Sequence, residues 1–294
     1  MIRQAFMDFN ASVSFPQEVV DEEFGNPMVA SLAVEGMCKS HDGFAMTDGS
    51  GKIVGVSFVN VDASGVASLG PVASVVPGAG RKTFVAACDH AESLGFKTLV
   101  LQQMTSNVRS FSLYAKLGFE AKHTCYYFGG FLPDSELPRP PPDAGDVTLA
   151  AMTPSDVKEC ASLFLAAYGT DNGWDGEPDI SESLESGSPF AKLVARNADG
   201  EVVGYTSGLF IMGHTVAVSL DVFAALFAKG SQLHQEMGLP CPRFNCPMEY
   251  PGLVTWALKN KLSLFRASTI MAKGPYKHAW PNTGHVVAPG GTGW

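Results

Sequence analysis

The residues best suited to chemistry form one short run, Gly78-Ala79-Gly80-Arg81-Lys82. Glycines let a backbone approach a ligand closely, and the N–H groups at a helix start favour an anion, above all a phosphate. Arg81 and Lys82 add positive charge there, in a chain with 20 basic and 29 acidic side chains and a net charge of −9. The run points to phosphate binding, although Gly-x-Gly turns are common. Other reactive side chains are less organised. The six cysteines, Cys38, Cys88, Cys125, Cys160, Cys241 and Cys246, are scattered. The Cys241/Cys246 pair lacks the further ligands at recognisable spacing that a zinc site needs, so no metal is expected. His214, in Gly213-His214-Thr215, is a lone histidine of a kind more often packed than reactive. Asp62, in Asp62-Ala63-Ser64-Gly65, reads as a turn residue. The strand at 66–76 carries no carboxylate, so no general base is evident.

The elements that must position these residues follow from pattern. Gln4–Phe15 and Pro16–Lys39 read as helical regions. Gly43–Met46, a Thr-Asp-Gly-Ser-Gly turn and Ile53–Val59 read as a hairpin, and Val66–Val76 as a third strand. A helix over 82–94 ends at Gly95; a buried strand follows at Thr98–Gln102. A helix over Ser106–Leu117 ends at Gly118, and a strand closes the segment at 120–128. The order α-α-β-β-β-α-β-α-β is that of a layered α/β domain. Residues 131–146, with Pro133, Pro138, Pro140, Pro141 and Pro142, read as an extended linker. The chain then divides into domains at 1–130 and 147–294. The second half shows a diverged copy of the same pattern: a strand at 147–152, a helix opened by Thr153-Pro154, a strand–turn–strand at 190–206, a helix at 253–262 and a strand at 267–271. The tail 274–294 has little helix or strand pattern.

Composition bounds the function. Hydrophobic residues are 46% and charged residues 17% of 294, which suits a packed globular protein and excludes extensive disorder. The acidic balance argues against a nucleic-acid partner. No signal peptide and no apolar run long enough for a membrane span is visible, which reads as a cytoplasmic protein with reduced cysteines.

The segment Asn107-Val108-Arg109-Ser110-Phe111-Ser112-Leu113-Tyr114-Ala115-Lys116-Leu117-Gly118-Phe119 resembles the Asn…Leu-Tyr-x-Lys-x-Gly-Phe signature of the GCN5-related N-acetyltransferase superfamily. The resemblance covers residues 1–130 well and 147–275 more weakly, and the whole chain resembles proteins with two such domains in tandem. It implies transfer of an acetyl or other short acyl group from acetyl-CoA to an amine acceptor. By the same resemblance, the pyrophosphate of coenzyme A lies on Gly78, Ala79, Gly80, Arg81 and Lys82, and the pantetheine amides pair with Ala73 and Ser74 on a splayed strand. Asn107 then lies near the coenzyme chain, and Tyr114 near its sulfur as general acid to the leaving thiolate. Tyr114 read without that resemblance is a core-facing aromatic packed with Phe111 and Leu117. Two departures stand out: Val75 occupies a position where Gln or Arg is expected, and the connection from Pro71 to Gly78 is shorter than in the relatives. Asp8, Glu22 and Glu23 fall in the helical region that usually lines the acceptor pocket. The first domain also lacks the fold's first strand, and the sheet edge this leaves keeps a homodimer open. After Ala217-Val218-Ser219 the second domain has no Gly-x-Gly loop. It reads as degenerate, which keeps a second reading open: a coenzyme-binding or interaction module without catalysis.

Overall fold

Apolar runs separated by glycine and Asx turns lay out the chain as alternating strands and helices. The computed structural model describes residues 1–2, 5, 27–61, 65–132, 147–168, 177–211, 213–276 and 285–289. In chain order these hold helix α1 (Pro27–Ser40), strands β1 (Asp42–Thr47), β2 (Ile53–Val61) and β3 (Val66–Ser74), helix α2 (Ala79–Ser93), strand β4 (Thr98–Met104), helix α3 (Val108–Lys116) and strand β5 (Glu120–Gly129). There follow β6 (Thr148–Ala151), α4 (Val157–Tyr168), α5 (Glu177–Glu185), β7 (Leu193–Arg196), β8 (Val202–Thr206) and β9 (Thr215–Ala217). The last elements are α6 (Leu220–Glu236), β10 (Arg243–Pro247), α7 (Pro251–Lys259), β11 (Ser263–Lys273) and β12 (Val286–Ala288). The helix expected at Gln4–Phe15 and the proline-rich stretch from 133 to 146 lie outside the described residues, apart from Ala5. So do Asp8, Glu22, Glu23 and Asp62. Among the described residues no helix is long and apolar enough to cross a membrane.

The chain forms two compact units. The first comprises residues 1–123 with 267–276. Its sheet is mixed: β1–β2 and β2–β3 are antiparallel, β3–β4 parallel and β4–β11 antiparallel. A parallel pair needs a crossover, and α2 supplies it. On one face α2 buries Phe84, Ala87, Cys88 and Ala91 against Val59, Leu69, Leu99 and Leu101. Phe84 is fully buried, which contributes about 2 kcal/mol. Met37 of α1 covers Val56, Phe58 and Ala73 on the other face. The strand expected at 267–271 is the middle of β11, and Ser268–Lys273 pairs with Leu99–Met104 in this first unit. Helix α2 begins at Ala79, three residues earlier than the sequence pattern indicates.

The second unit comprises residues 124–266 with 277–293. It contains a five-stranded sheet in the order β12-β9-β8-β7-β6, and β10 pairs with Cys125–Gly129 of β5. Phe223 and Phe227 of α6 pack on Phe244 and Trp256 at ring separations of 5.1–5.6 Å. Within the tail expected to lack pattern, Val286–Ala288 is a buried strand.

Local geometry repeats between the two halves. Asp48 Oδ1 accepts from the N–H groups of Ser50 and Lys52, and Asn197 Oδ1 accepts from those of Asp199 and Glu201. Helices α2 and α6 end on left-handed glycines, Gly95 and Gly238, with a closing bond from two residues beyond the C-cap: Phe96 to Ala91 and Leu239 to His234. Helices α3 and α7 end the same way, with Phe119 bonding back to Tyr114 and Leu262 to Ala257. Gly118 (φ 90) occupies the left-handed position in the first copy, and Lys261 (φ 59) occupies it in the second. The duplication is therefore visible in backbone geometry even where side chains have changed.

Candidate functional site

Strands β3 and β4 form a ladder only over Val66–Ser68 and Thr98–Val100. Beyond Ser68, β3 stays paired with β2 (Val72↔Ser57, Ala73↔Val56, Ser74↔Gly55). Beyond Val100, β4 stays paired with β11. Among the described residues no rung joins Gly70–Ser74 to Leu101–Met104. The cause is local: Gly70 adopts φ +136, Pro71 has no N–H to give a ladder, and the β2–β3 register shifts between Ser57 and Val59. The result is a wedge in the sheet whose backbone edges can pair with an extended amide chain. Ala73 and Ser74 lie on its β3 side.

The wedge opens toward the start of α2. Val76-Pro77-Gly78-Ala79 makes a tight turn, with the Ala79 N–H donating to the Val76 carbonyl at 3.2 Å. Pro77 at the second position and Gly78 (φ 83, ψ −17) at the third are what a type II turn requires. This turn closes the connection from β3 to α2, and it consumes the Ala79 N–H. Gly78 caps α2 without any side-chain hydrogen bond. The N–H groups of Gly80 and Arg81 lie in the first turn, where the helix itself offers no acceptor. A Cβ at Gly80 would lie 3.0 Å from Ser74 Oγ, so the helix start sits directly on the end of β3.

A groove of about 420 Å³ continues from this point, lined by Arg81 with Val108, Arg109, Leu113, Lys116 and Leu117 of the α3 segment. Its three cations over an apolar floor suit a ligand carrying both phosphate and a flat apolar group. Arg109 and Lys116 lie within the run Asn107–Phe119, but the sequence reading gave neither a binding role. Their signal was present as two cations seven positions apart, hence on one side of a helix, in an acidic chain.

Asn107 is the N-cap of α3, its side-chain oxygen accepting the Ser110 N–H at 3.0 Å. Tyr114 is 7% exposed, its ring 4.7 Å from Phe84 and 6.3 Å from Phe119. Burial pushes its phenol up to about 12, partly opposed by the Ser110 side-chain hydrogen bond. It is thus a core aromatic on the helix beside the groove, neutral at ordinary pH.

In the second unit the corresponding places are closed. Ser219 caps α6 and accepts the Val222 N–H, and Asp221 puts negative charge in the first turn. Both oppose a phosphate at this helix start. Strand β12 pairs with β9 along the edge that corresponds to the open side of β3 (Val286↔Ala217, Val287↔Val216, Ala288↔Thr215). Asn245 donates from Nδ2 to the Pro289 carbonyl at 3.0 Å. It is not the counterpart of Asn107, because Tyr250 caps α7. His214 is 9% exposed; Nε2 meets the Tyr205 hydroxyl at 2.8 Å and Nδ1 meets Ser207 Oγ at 3.1 Å. Burial holds its pKa down to about 4. It is a satisfied packing residue.

No protein-family model and no curated protein matches the chain. Solved structures do. A Pyrococcus horikoshii protein named as an acetyltransferase aligns over 100% of this chain and 91% of its own, at 15% identity and TM-score 0.66. A tandem GNAT protein from the clavulanic acid biosynthesis pathway aligns over 84% and 89%, at 13% identity and TM-score 0.57. A GCN5-related N-acetyltransferase from Sphaerobacter thermophilus aligns over 81% and 82%, at 13% and 0.54. The chain has the GNAT fold, in tandem. Identities this low establish the architecture, and the chemistry is argued from the site.

Proposed function

We propose that this tandem GNAT-fold chain is an N-acetyltransferase that moves an acetyl or short acyl group from coenzyme A to an amine. The wedge between β3 and β4, opening onto the uncapped start of α2, carries the reading. Backbone of Val72–Ser74 would pair with the pantetheine amides. The N–H groups of Gly80 and Arg81, with the Arg81 and Lys82 side chains, would hold the pyrophosphate. Arg109 and Lys116 add charge for the remaining phosphate across the groove. In the reaction the amine nitrogen forms a bond to the thioester carbon and the C–S bond breaks, the coenzyme leaving as thiolate. The amine gives up one proton to solvent, and the thiolate is protonated from solvent. Strand N–H groups steady the oxygen, and Tyr114 donates a hydrogen bond to the departing sulfur. A coenzyme-binding role for the first unit and a structural role for the second belong to the same proposal. A second reading, coenzyme binding without transfer, is favoured by the burial of Tyr114.

Titration calorimetry with acetyl-CoA tests it. The expected result is micromolar binding of one coenzyme per chain, abolished by Gly80→Glu, which sets a carboxylate against the phosphate. Gly80→Ala is the steric control, because its Cβ would press on the movable Ser74 side chain and make an ordinary contact with Val72 Cγ1 at 3.7 Å. Absence of binding by folded wild-type protein overturns the proposal. Binding without thiol release across an amine panel selects the second reading.

A further inference from the structure

We infer that Gln103 contacts the coenzyme, its buried primary amide pairing with an amide of the pantetheine arm in the wedge. The inference rests on the coenzyme A reading above and deepens it.

Strand β4 reads Thr98-Leu99-Val100-Leu101-Gln102-Gln103-Met104, an apolar run that turns polar beyond the last rung shared with β3. Alternation sends the two glutamines to opposite faces. Gln102 has a structural role, its Nε2 donating to Ser268 Oγ at 2.5 Å. Gln103 has none of that kind. It is 6% exposed, and neither its amide oxygen nor its amide nitrogen has a hydrogen-bond partner among the described residues. Its cross-strand neighbour is Thr269, whose hydroxyl is engaged with that of Thr105 at 2.9 Å. Gln103 shares its face with Leu99 and Leu101, which pack with Phe84 and Tyr114 under α2 and α3. It lies three residues past Val100, about 10 Å along the strand into the open part of the wedge.

A buried amide with no partner is rare and destabilising. An apolar side chain of similar size would serve packing alone better. The ligand that fits such a group offers a donor and an acceptor together, since a primary amide presents both. A secondary amide does this; a thioester carbonyl would use the nitrogen alone. The pantetheine arm carries two secondary amides, and the wedge receives an extended chain of that chemistry.

The test compares acetyl-CoA with adenosine 3′,5′-bisphosphate, which keeps phosphates and base but lacks the arm. In Gln103→Met, acetyl-CoA affinity is expected to fall about tenfold, the equivalent of one or two hydrogen bonds. The bisphosphate should be unaffected, and the ligand-free protein should melt higher, because an unpartnered amide is gone. Should Gln103→Met fail to fold, Gln103→Asn keeps the amide but withdraws it by one methylene, with the same expected split between the two ligands. Unchanged acetyl-CoA affinity overturns the inference, as does an equal loss for both ligands. If neither ligand binds the wild type, the coenzyme reading itself fails, an outcome distinct from the other two.

Discussion

Replacing Tyr114 with phenylalanine separates what burial permits from what the motif implies. The ring stays packed between Phe84 and Phe119, so the fold should persist. Only the hydroxyl is lost. Burial raises that phenol to about 12. Full proton transfer to a thiolate, whose conjugate acid ionises near pH 8.5, would then be uphill by about 5 kcal/mol. In the proposed reaction Tyr114 would therefore act on the leaving sulfur as a hydrogen-bond donor. A bond to a charged group contributes about 1.5–3 kcal/mol, so kcat should fall by roughly 10- to 150-fold. Affinity for acetyl-CoA should hardly change, since the thioester sulfur in the ground state is a poor acceptor. The assay is single-turnover release of thiol from acetyl-CoA at saturating amine, with calorimetry for the binding step. Because the phenol stays protonated, no alkaline limb from Tyr114 should appear below about pH 10. A kcat within about threefold of wild type would make Tyr114 a packing residue only. A limb near pH 9–10 that vanishes in Tyr114→Phe would refute the argument from burial.

The groove predicts that Arg109→Gln combined with Lys116→Gln weakens acetyl-CoA about tenfold or more and flattens the salt dependence of binding, measured by calorimetry at two ionic strengths. The His214 imidazole predicts acid sensitivity. Its folded pKa, about 4, lies below the unfolded value of 6.5, so its contribution is complete above pH 6.5 and is lost as pH falls toward 4. Between pH 7.5 and 5.5 that amounts to about 1.4 kcal/mol, read by urea denaturation. His214→Asn should remove this part of the slope; a wild type indifferent to pH over that range would contradict it.

Much of the first domain was legible in the chain. The Asx turn at Asp48, the glycines at 95 and 118 and the run Asn107–Phe119 act through near-neighbour geometry, so their residue types report their conformations directly. Gly78 marked the helix start because its φ of +83 favours glycine whatever lies beyond, while Gly80 lies in the first turn close against Ser74. The roles proposed for Arg109, Lys116 and Gln103 were not legible, since each acquires meaning only from what stands opposite: Arg81 across a groove, or a strand that has parted from its neighbour. Tyr114 shows the same limit. Its motif implies a position beside a coenzyme sulfur, but its burial and its raised pKa come from the packing around it, with Phe84 and Phe119 against its ring.

The second half makes the division clearest. Sequence by itself showed a diverged copy without a Gly-x-Gly loop, since composition and turn chemistry are local properties. Only the tertiary structure decided that Ser219 caps its own helix, that β12 lies along the edge of β9, and that β11 pairs with β4 in the first unit. Strand pairing joins segments far apart in the chain, and no local pattern of residue types specifies which backbone edge a strand will meet.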